Sequence, residues 1–206
     1  MSASPPGADA LLFDLGRVVI DIDFNLVFAR WAAHARCDGE LIAARFRHDD
    51  AYKRHERGEI DENAYFDTLR SSLGIEISDA QFLDGWNAIF VGEMPGIADL
   101  LGRASRQVPL YAFTNSNRAH ERCWSQRFAT ALGHFRRIYV SSTIGLRKPE
   151  PEAFDHVIRE IGVPADRLMF FDDALENVDA ARARRIQSIY VKSVADVENA
   201  LSFLAF

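Results

Sequence analysis

Asp14 closes a short apolar run, Leu11-Leu12-Phe13, and Gly16 follows two residues later. A buried strand that ends in a carboxylate and then turns on a glycine presents that acid above the strand tips of an open α/β sheet. Three further stretches have the same form. The run VPLYAF at 108–113 ends in Thr114-Asn115-Ser116, just before a helix N-terminus. Hydroxyls, an amide and free backbone N–H groups in that place favour an anion. The run RIYVS at 137–141 leads to Lys148-Pro149, and a residue before proline is held extended or in a turn, which aims its ammonium. The run LMFF at 168–171 ends in Asp172-Asp173, with Asn177 beyond. Two adjacent carboxylates after four large apolar residues are costly without a cation. A hard, oxygen-liganded ion such as Mg²⁺ suits them, whereas helix capping accounts for only one.

The elements that must position these groups follow from periodicity. Strands alternate with helices after Pro95, which predicts a parallel, doubly wound sheet with its ligands at the C-terminal tips. The stretch from Asp23 to about Gly92 is different. Phe24, Val27, Phe28, Trp31, Ala32 and Ala35 fall on one helical face. A polar segment at 47–58 follows. Asp61 then caps a helix that stops at Gly74, and Ser78 with Gln81 makes a capping box for another, carrying Phe82, Trp86, Ile89 and Phe90. No strand is expected among these roughly seventy residues. The organisation expected is a flexible tail at 1–10, a Rossmann-like α/β core at 11–22 and 95–206, and a small helical cap at 23–94. A helix of about fifteen residues is expected from Asn117.

Composition narrows the function classes. With 48% apolar and 26% charged residues in 206, the chain is an ordinary globular protein. A net charge of −6 and scattered arginines give no nucleic-acid footprint; the cluster Arg182, Arg184, Arg185 is read as a solvated helix face. No apolar run reaches membrane-spanning length. Cys37 and Cys123 are far apart with no metal or redox spacing, so a reduced, cytoplasmic protein is expected.

The order carboxylate, anion turn, lysine, acidic pair resembles the haloacid dehalogenase-like (HAD) hydrolases over essentially the whole chain. FDLG at 13–16 resembles the nucleophile motif, FTNSN at 113–117 the second, Lys148 in RKPEP the third and FFDDALEN at 170–177 the fourth. The helical insertion is similar to a type 1 cap. FDLGRVVIDIDFN and HERGEI (55–60) further resemble bacterial sugar-phosphate phosphatases of the alpha-D-glucose-1-phosphate phosphatase type and the phosphatase domain of soluble epoxide hydrolases. The resemblance implies a phosphatase acting on small phosphorylated metabolites, as a monomer or homodimer. It implies Asp14 as nucleophile and Mg²⁺ on Asp14, the Gly16 carbonyl and Asp173, with Asp172 as ligand or support. Asn115, Ser116 and Lys148 would cradle the phosphate, and Asn177 would orient Lys148 or a metal ligand.

One departure matters. Most phosphatases of the superfamily carry a second aspartate two residues after the nucleophile, and here that position is Gly16. The proton donor is then open among His55 or Glu56 from the cap, Asp21, Asp23 and water. His55-Glu56-Arg57 is the cap segment expected to reach the site, while Trp31, Trp86 and Phe90 are expected in the cap core. Two other readings share the fold: a 2-haloacid dehalogenase, which needs no Mg²⁺, and a non-catalytic phospho-ligand binding protein.

Overall fold

The computed structural model describes residues 7–204. The first strand, β1 (Ala10–Phe13), is buried at every position and opens the chain's central sheet. The tail expected over 1–10 lies outside the described residues up to position 6. From there Ala8 is already buried, and Asp9 donates its N–H to the Arg167 carbonyl at 2.8 Å. After the turn at Gly16 the chain forms β2 (Ile20–Ile22) and enters the helical insertion. That insertion holds α1 (Phe24–Ala35), α2 (Gly39–Arg45), α3 (Asp50–Glu56), α4 (Glu62–Leu73) and α5 (Asp79–Asn87).

The local signals explain most of these boundaries. Asp61 accepts from the Ala64 N–H and Gly74 takes the left-handed conformation that stops α4. Ser78 and Gln81 form the reciprocal capping box of α5. Trp31 and Trp86 are fully buried and stacked, ring centroids 5.8 Å apart. A side chain at Gly85 would bring its Cβ to 2.2 Å from Trp31, so glycine is what lets α1 and α5 close on each other.

One expectation fails here, that of no strand in the insertion, and one unassigned segment gains an element. The polar segment at 47–58 holds α3, capped by Asp49 through the Tyr52 N–H. Its inward face carries His55 and Glu56 rather than aliphatic residues, which hides the helical period. The insertion also ends in a strand, β3 (Phe90–Glu93), antiparallel to β2 with Ile20 opposite Glu93. Four residues including a glycine carry no period of their own; the pairing is made by a partner seventy positions away.

The rest of the chain is α6 (Ile97–Ala104), β4 (Leu110–Thr114), α7 (Arg118–Arg127), α8 (Ala129–Leu132), β5 (Arg137–Val140) and α9 (Ser141–Ile144), then α10 (Pro151–Ile161), β6 (Leu168–Asp172), α11 (Leu175–Ala183), β7 (Gln187–Tyr190) and α12 (Val194–Ala200). The helix expected from Asn117 is two helices, broken at Phe128, whose φ of −116° and ψ of 30° leave the helical region. Five strands make a parallel sheet in the order β5-β4-β1-β6-β7. This is the Rossmann-like, doubly wound α/β fold, with β1 in the middle. Register aligns the tips: Phe13 lies opposite Ala112 on one side and Phe171 on the other. Asp14 therefore follows directly beside Asp172 and near Thr114. The arginine cluster of α11 and its end is paired with Asp179, Asp155 and Asp166 at the surface.

The cap rests on the core at a tight point. Gly58 has a φ of +69°, and a Cβ there would stand 2.4 Å from the Ser142 carbonyl oxygen. Gly58→Ala is expected to lose about 1–3 kcal/mol from overpacking, plus about 1 kcal/mol for the left-handed backbone. A thermal melt against wild type measures it, and an unchanged Tm would show the cap free to lift away from that contact.

Candidate active site

Lys148 is the centre of the site. Its Nζ is 2.8 Å from an Asp14 oxygen and 2.7 Å from an Asp172 oxygen, with its side chain 1% exposed. The ammonium also faces the rings of Phe113 and Phe170 at 5.3 and 5.4 Å. Asn115 holds the lysine from the backbone side: its Nδ2 donates to the Lys148 carbonyl and its Oδ1 accepts from the Lys148 N–H, both at 2.8 Å. The second and third sequence motifs are thus joined through a side-chain amide. The Asn115 side chain is thereby engaged with the lysine, which leaves the expected anion contact to its backbone N–H.

Asp172 is fully buried and heavily engaged. It accepts from the Ala174 N–H at 2.8 Å and from Asn177 Nδ2 at 3.0 and 3.1 Å, besides Lys148. Asn177 therefore fixes Asp172 and reaches Lys148 only through it. Asp173 is more open, with Arg17 at 3.9 Å. Asp14, Asp172 and Asp173 each offer an oxygen within 4.8 Å of the others. An all-oxygen, triply acidic set is the donor chemistry that Mg²⁺ takes, so the residues fit that ion.

The electrostatics follow from burial. It pulls the Lys148 ammonium down, but the carboxylates of Asp14 and Asp172 more than offset this, so its pKa lies above the ordinary value. Burial likewise pushes the Asp14 carboxyl up; Lys148 opposes the rise and Asp172 adds to it. Asp173 is raised too, by burial and by the charge of Asp172. A cluster that holds three acids against one ammonium favours a further cation.

A cavity of about 250 Å³ opens above this cluster. Its floor is Asp14, Gly16, Thr114, Asn115, Ser116, Lys148 and Asp173. Ser116 accepts from the Trp124 indole N–H at 3.3 Å, which leaves the hydroxyl proton for a ligand. Its own N–H donates to Ser141 Oγ at 2.9 Å. The cap side of the cavity is Phe24, His48, Tyr52, Ile89 and Phe90. Trp31 and Trp86 are in the cap core; Phe90 is buried and also reaches the cavity wall.

His55 and Glu56 do not line the cavity. His55 stacks on Tyr65 at 4.4 Å, and burial lowers its pKa to about 4. Glu56 is 2.9 Å from the Arg147 guanidinium, and Arg57 reaches Glu150 at 3.0 Å. The polar segment docks the cap on both sides of Lys148-Pro149 and does not enter the site. Asp21 pairs opposite Gly92 in β2, Asp23 caps α1, and neither lines the cavity. Sequence reasoning missed His48, Tyr52, His120 and Trp124; only the aromatic residues' positions near motifs could have flagged them.

His120 behind the wall is buried, stacked on Trp86 at 4.6 Å, and donates from Nε2 to the Trp86 carbonyl at 3.0 Å. Burial lowers its pKa to about 3. The folded state therefore resists the proton that the unfolded chain accepts near pH 6.5. Stability from this group is full above that pH and falls toward pH 3, by about 1.4 kcal/mol per pH unit. His120→Gln is expected to flatten the loss of stability between pH 6.5 and 4 by about one proton, as read by denaturant unfolding at several pH values. An unchanged slope would mean that the ring is protonated in the fold.

The parallel sheet, the cap after the first strand and the acid–lysine cluster define a hydrolase of the α/β type with a lidded site. The chain matches the haloacid dehalogenase-like hydrolase family over residues 8–183 and belongs to it. Among relatives, a D-ribitol-5-phosphate phosphatase of Bacteroides thetaiotaomicron is 22% identical over 199 residues, 94% of this chain and 97% of the relative. A drimenol cyclase of Aspergillus calidoustus is 24% identical over 204 residues, 94% of this chain but 36% of the relative, so the chain spans about a third of that protein. A HAD family enzyme of Bacteroides thetaiotaomicron, solved in complex with magnesium and inorganic phosphate, superposes with a TM-score of 0.79 at 25% identity, covering 91% and 96% of the two chains. No helix among the described residues is long and apolar enough to cross a membrane.

Proposed function

We propose that the chain is a Mg²⁺-dependent phosphatase of small phosphate monoesters that works through an aspartyl-phosphate on Asp14. The observation that carries this is the Asp14–Lys148–Asp172 cluster at the floor of a capped cavity. Asp14 attacks phosphorus through its free oxygen as the ester P–O bond breaks. Lys148, already bound to two carboxylates, has a third N–H to give to a non-bridging oxygen, with the Ser116 hydroxyl and Asn115 N–H beside it. Asp172 and Asn177 keep the lysine in place. Water then attacks the same phosphorus and frees the Asp14 carboxylate. Asp14, the Gly16 carbonyl and Asp173 would hold Mg²⁺, whose charge offsets the repulsion between carboxylate and phosphate. With Gly16 where an acid is usual, the departing oxygen takes its proton from water.

The substrate partner in this reading is a small phosphorylated metabolite, and the enzyme works in the cytoplasm as a monomer or homodimer. The opening motif and the ribitol-5-phosphate phosphatase support sugar phosphates such as glucose 1-phosphate as the first class to measure. The test is phosphate release from an ester panel with and without Mg²⁺. Release that needs Mg²⁺ supports the reading; halide release from 2-haloacids in place of phosphate release would replace it with a dehalogenase.

A further inference from the structure

We infer that the alcohol released is a compact apolar one, aromatic or otherwise hydrocarbon, and that the sugar phosphates measured first are the poorer substrates; this rests on the phosphatase chemistry proposed above and not on its sugar specificity. Away from the acidic floor, the cavity wall is Ile20, Ile22, Phe24, Ile89 and Phe90. The remaining wall residues with polar atoms have spent most of them. The Tyr52 hydroxyl lies toward the buried Glu56 carboxylate, His120 Nε2 is held by the Trp86 carbonyl, and the Trp124 indole N–H by Ser116. His48, Arg17 and the unpartnered Asn177 Oδ1 on the floor side are what remain for a ligand beyond the phosphate contacts. A sugar or pentitol phosphate brings about four hydroxyls, and each one buried without a partner weakens binding by about tenfold. An apolar ring or chain meets the same wall with nothing left unpaired.

The turn at Gly16 agrees independently. A Cβ there would lie 3.1 Å from Ile22 Cδ1, the end of a flexible side chain, so Gly16 sits directly against the apolar wall. No acid stands at this position to serve the departing oxygen. The bond that breaks is the ester P–O bond, its electron pair goes to the departing oxygen, and that oxygen is protonated by water. A phenol leaves without an acid more readily than an alkyl alkoxide does; a benzylic alcohol has no such advantage over a sugar, so its preference is expected in binding alone.

The experiment compares benzyl phosphate with ribitol 5-phosphate, both esters of primary alcohols, and with glucose 1-phosphate, in Mg²⁺. The expected result is kcat/KM at least about tenfold higher for benzyl phosphate, carried by KM, with Phe24→Asn and Ile89→Ser each narrowing the ratio. Polyol esters that are hydrolysed as well or better overturn the inference and leave the phosphatase reading standing. Binding of benzylphosphonate, measured by calorimetry against inorganic phosphate, provides a readout without turnover. If no ester is hydrolysed the catalytic reading falls. Tighter binding of benzylphosphonate than of phosphate would still support the apolar wall as the reader of the ligand, and equal binding would sink that as well.

Discussion

Asp14→Asn should release phosphate at least about 10⁴-fold more slowly than wild type, with a Tm that is equal or higher. An amide cannot attack phosphorus, and removing a nucleophile that works as part of a unit removes nearly all of the unit's effect. The stability side separates this from misfolding. Asp14 is one of three clustered acids, and burial already pushes its carboxyl up. Replacing it with a neutral isostere removes repulsion with Asp172 and Asp173, while Lys148 keeps Asp172 at 2.7 Å. Acid quench of a labelled ester should trap phosphate on the wild-type protein and none on the variant. A variant with more than a few per cent of wild-type turnover would show that water attacks the ester directly, with Asp14 as ligand only.

How much of this the sequence carries depends on what fixes each residue. Asp14, Asn115 and Asp172 each stand at or just past a strand end, with Lys148 following β5 after the short α9, and strand ends are legible from short apolar runs bounded by polar residues. The parallel register then brings them together, and distances of 2.7 and 2.8 Å follow from which strands are neighbours. The resemblance pointed Asn177 at Lys148 or a metal ligand, and it holds Asp172. That Asn115 grips the lysine backbone depends on its side-chain direction after the turn and was not legible. His55 and Glu56 show the limit most clearly. A polar stretch between apolar helices was expected to reach the site, yet Glu56 is buried against Arg147, ninety-one positions away. The cavity wall was hidden for the opposite reason: Phe24 looks like cap core by period, Tyr52 stands alone in a polar segment, and half-burial against an empty space has no signature in spacing.

Lys148→Met should be the most destructive substitution for the fold as well as for turnover. The ammonium is what makes Asp14 and Asp172 tolerable inside the protein, and Met leaves both without a cation. Losing one partner of a buried pair costs about 3–5 kcal/mol. For a chain of this size that is a fall in Tm of roughly 10 °C at neutral pH. The sign with pH distinguishes this cause from lost packing. In wild type the raised pKa of Lys148 means that its contribution is full below about pH 10.5 and is lost only as pH rises through the folded value. In the variant the Asp14 carboxyl, already raised by burial, rises further above its unfolded value, so the penalty grows as pH increases past about 4. The variant should therefore lie closest to wild type near pH 5 and furthest from it near pH 8. Packing loss would give the same deficit at both, because a methionine stem fills the space between Phe113 and Phe170 equally at any pH. Thermal melts at the two pH values decide between them.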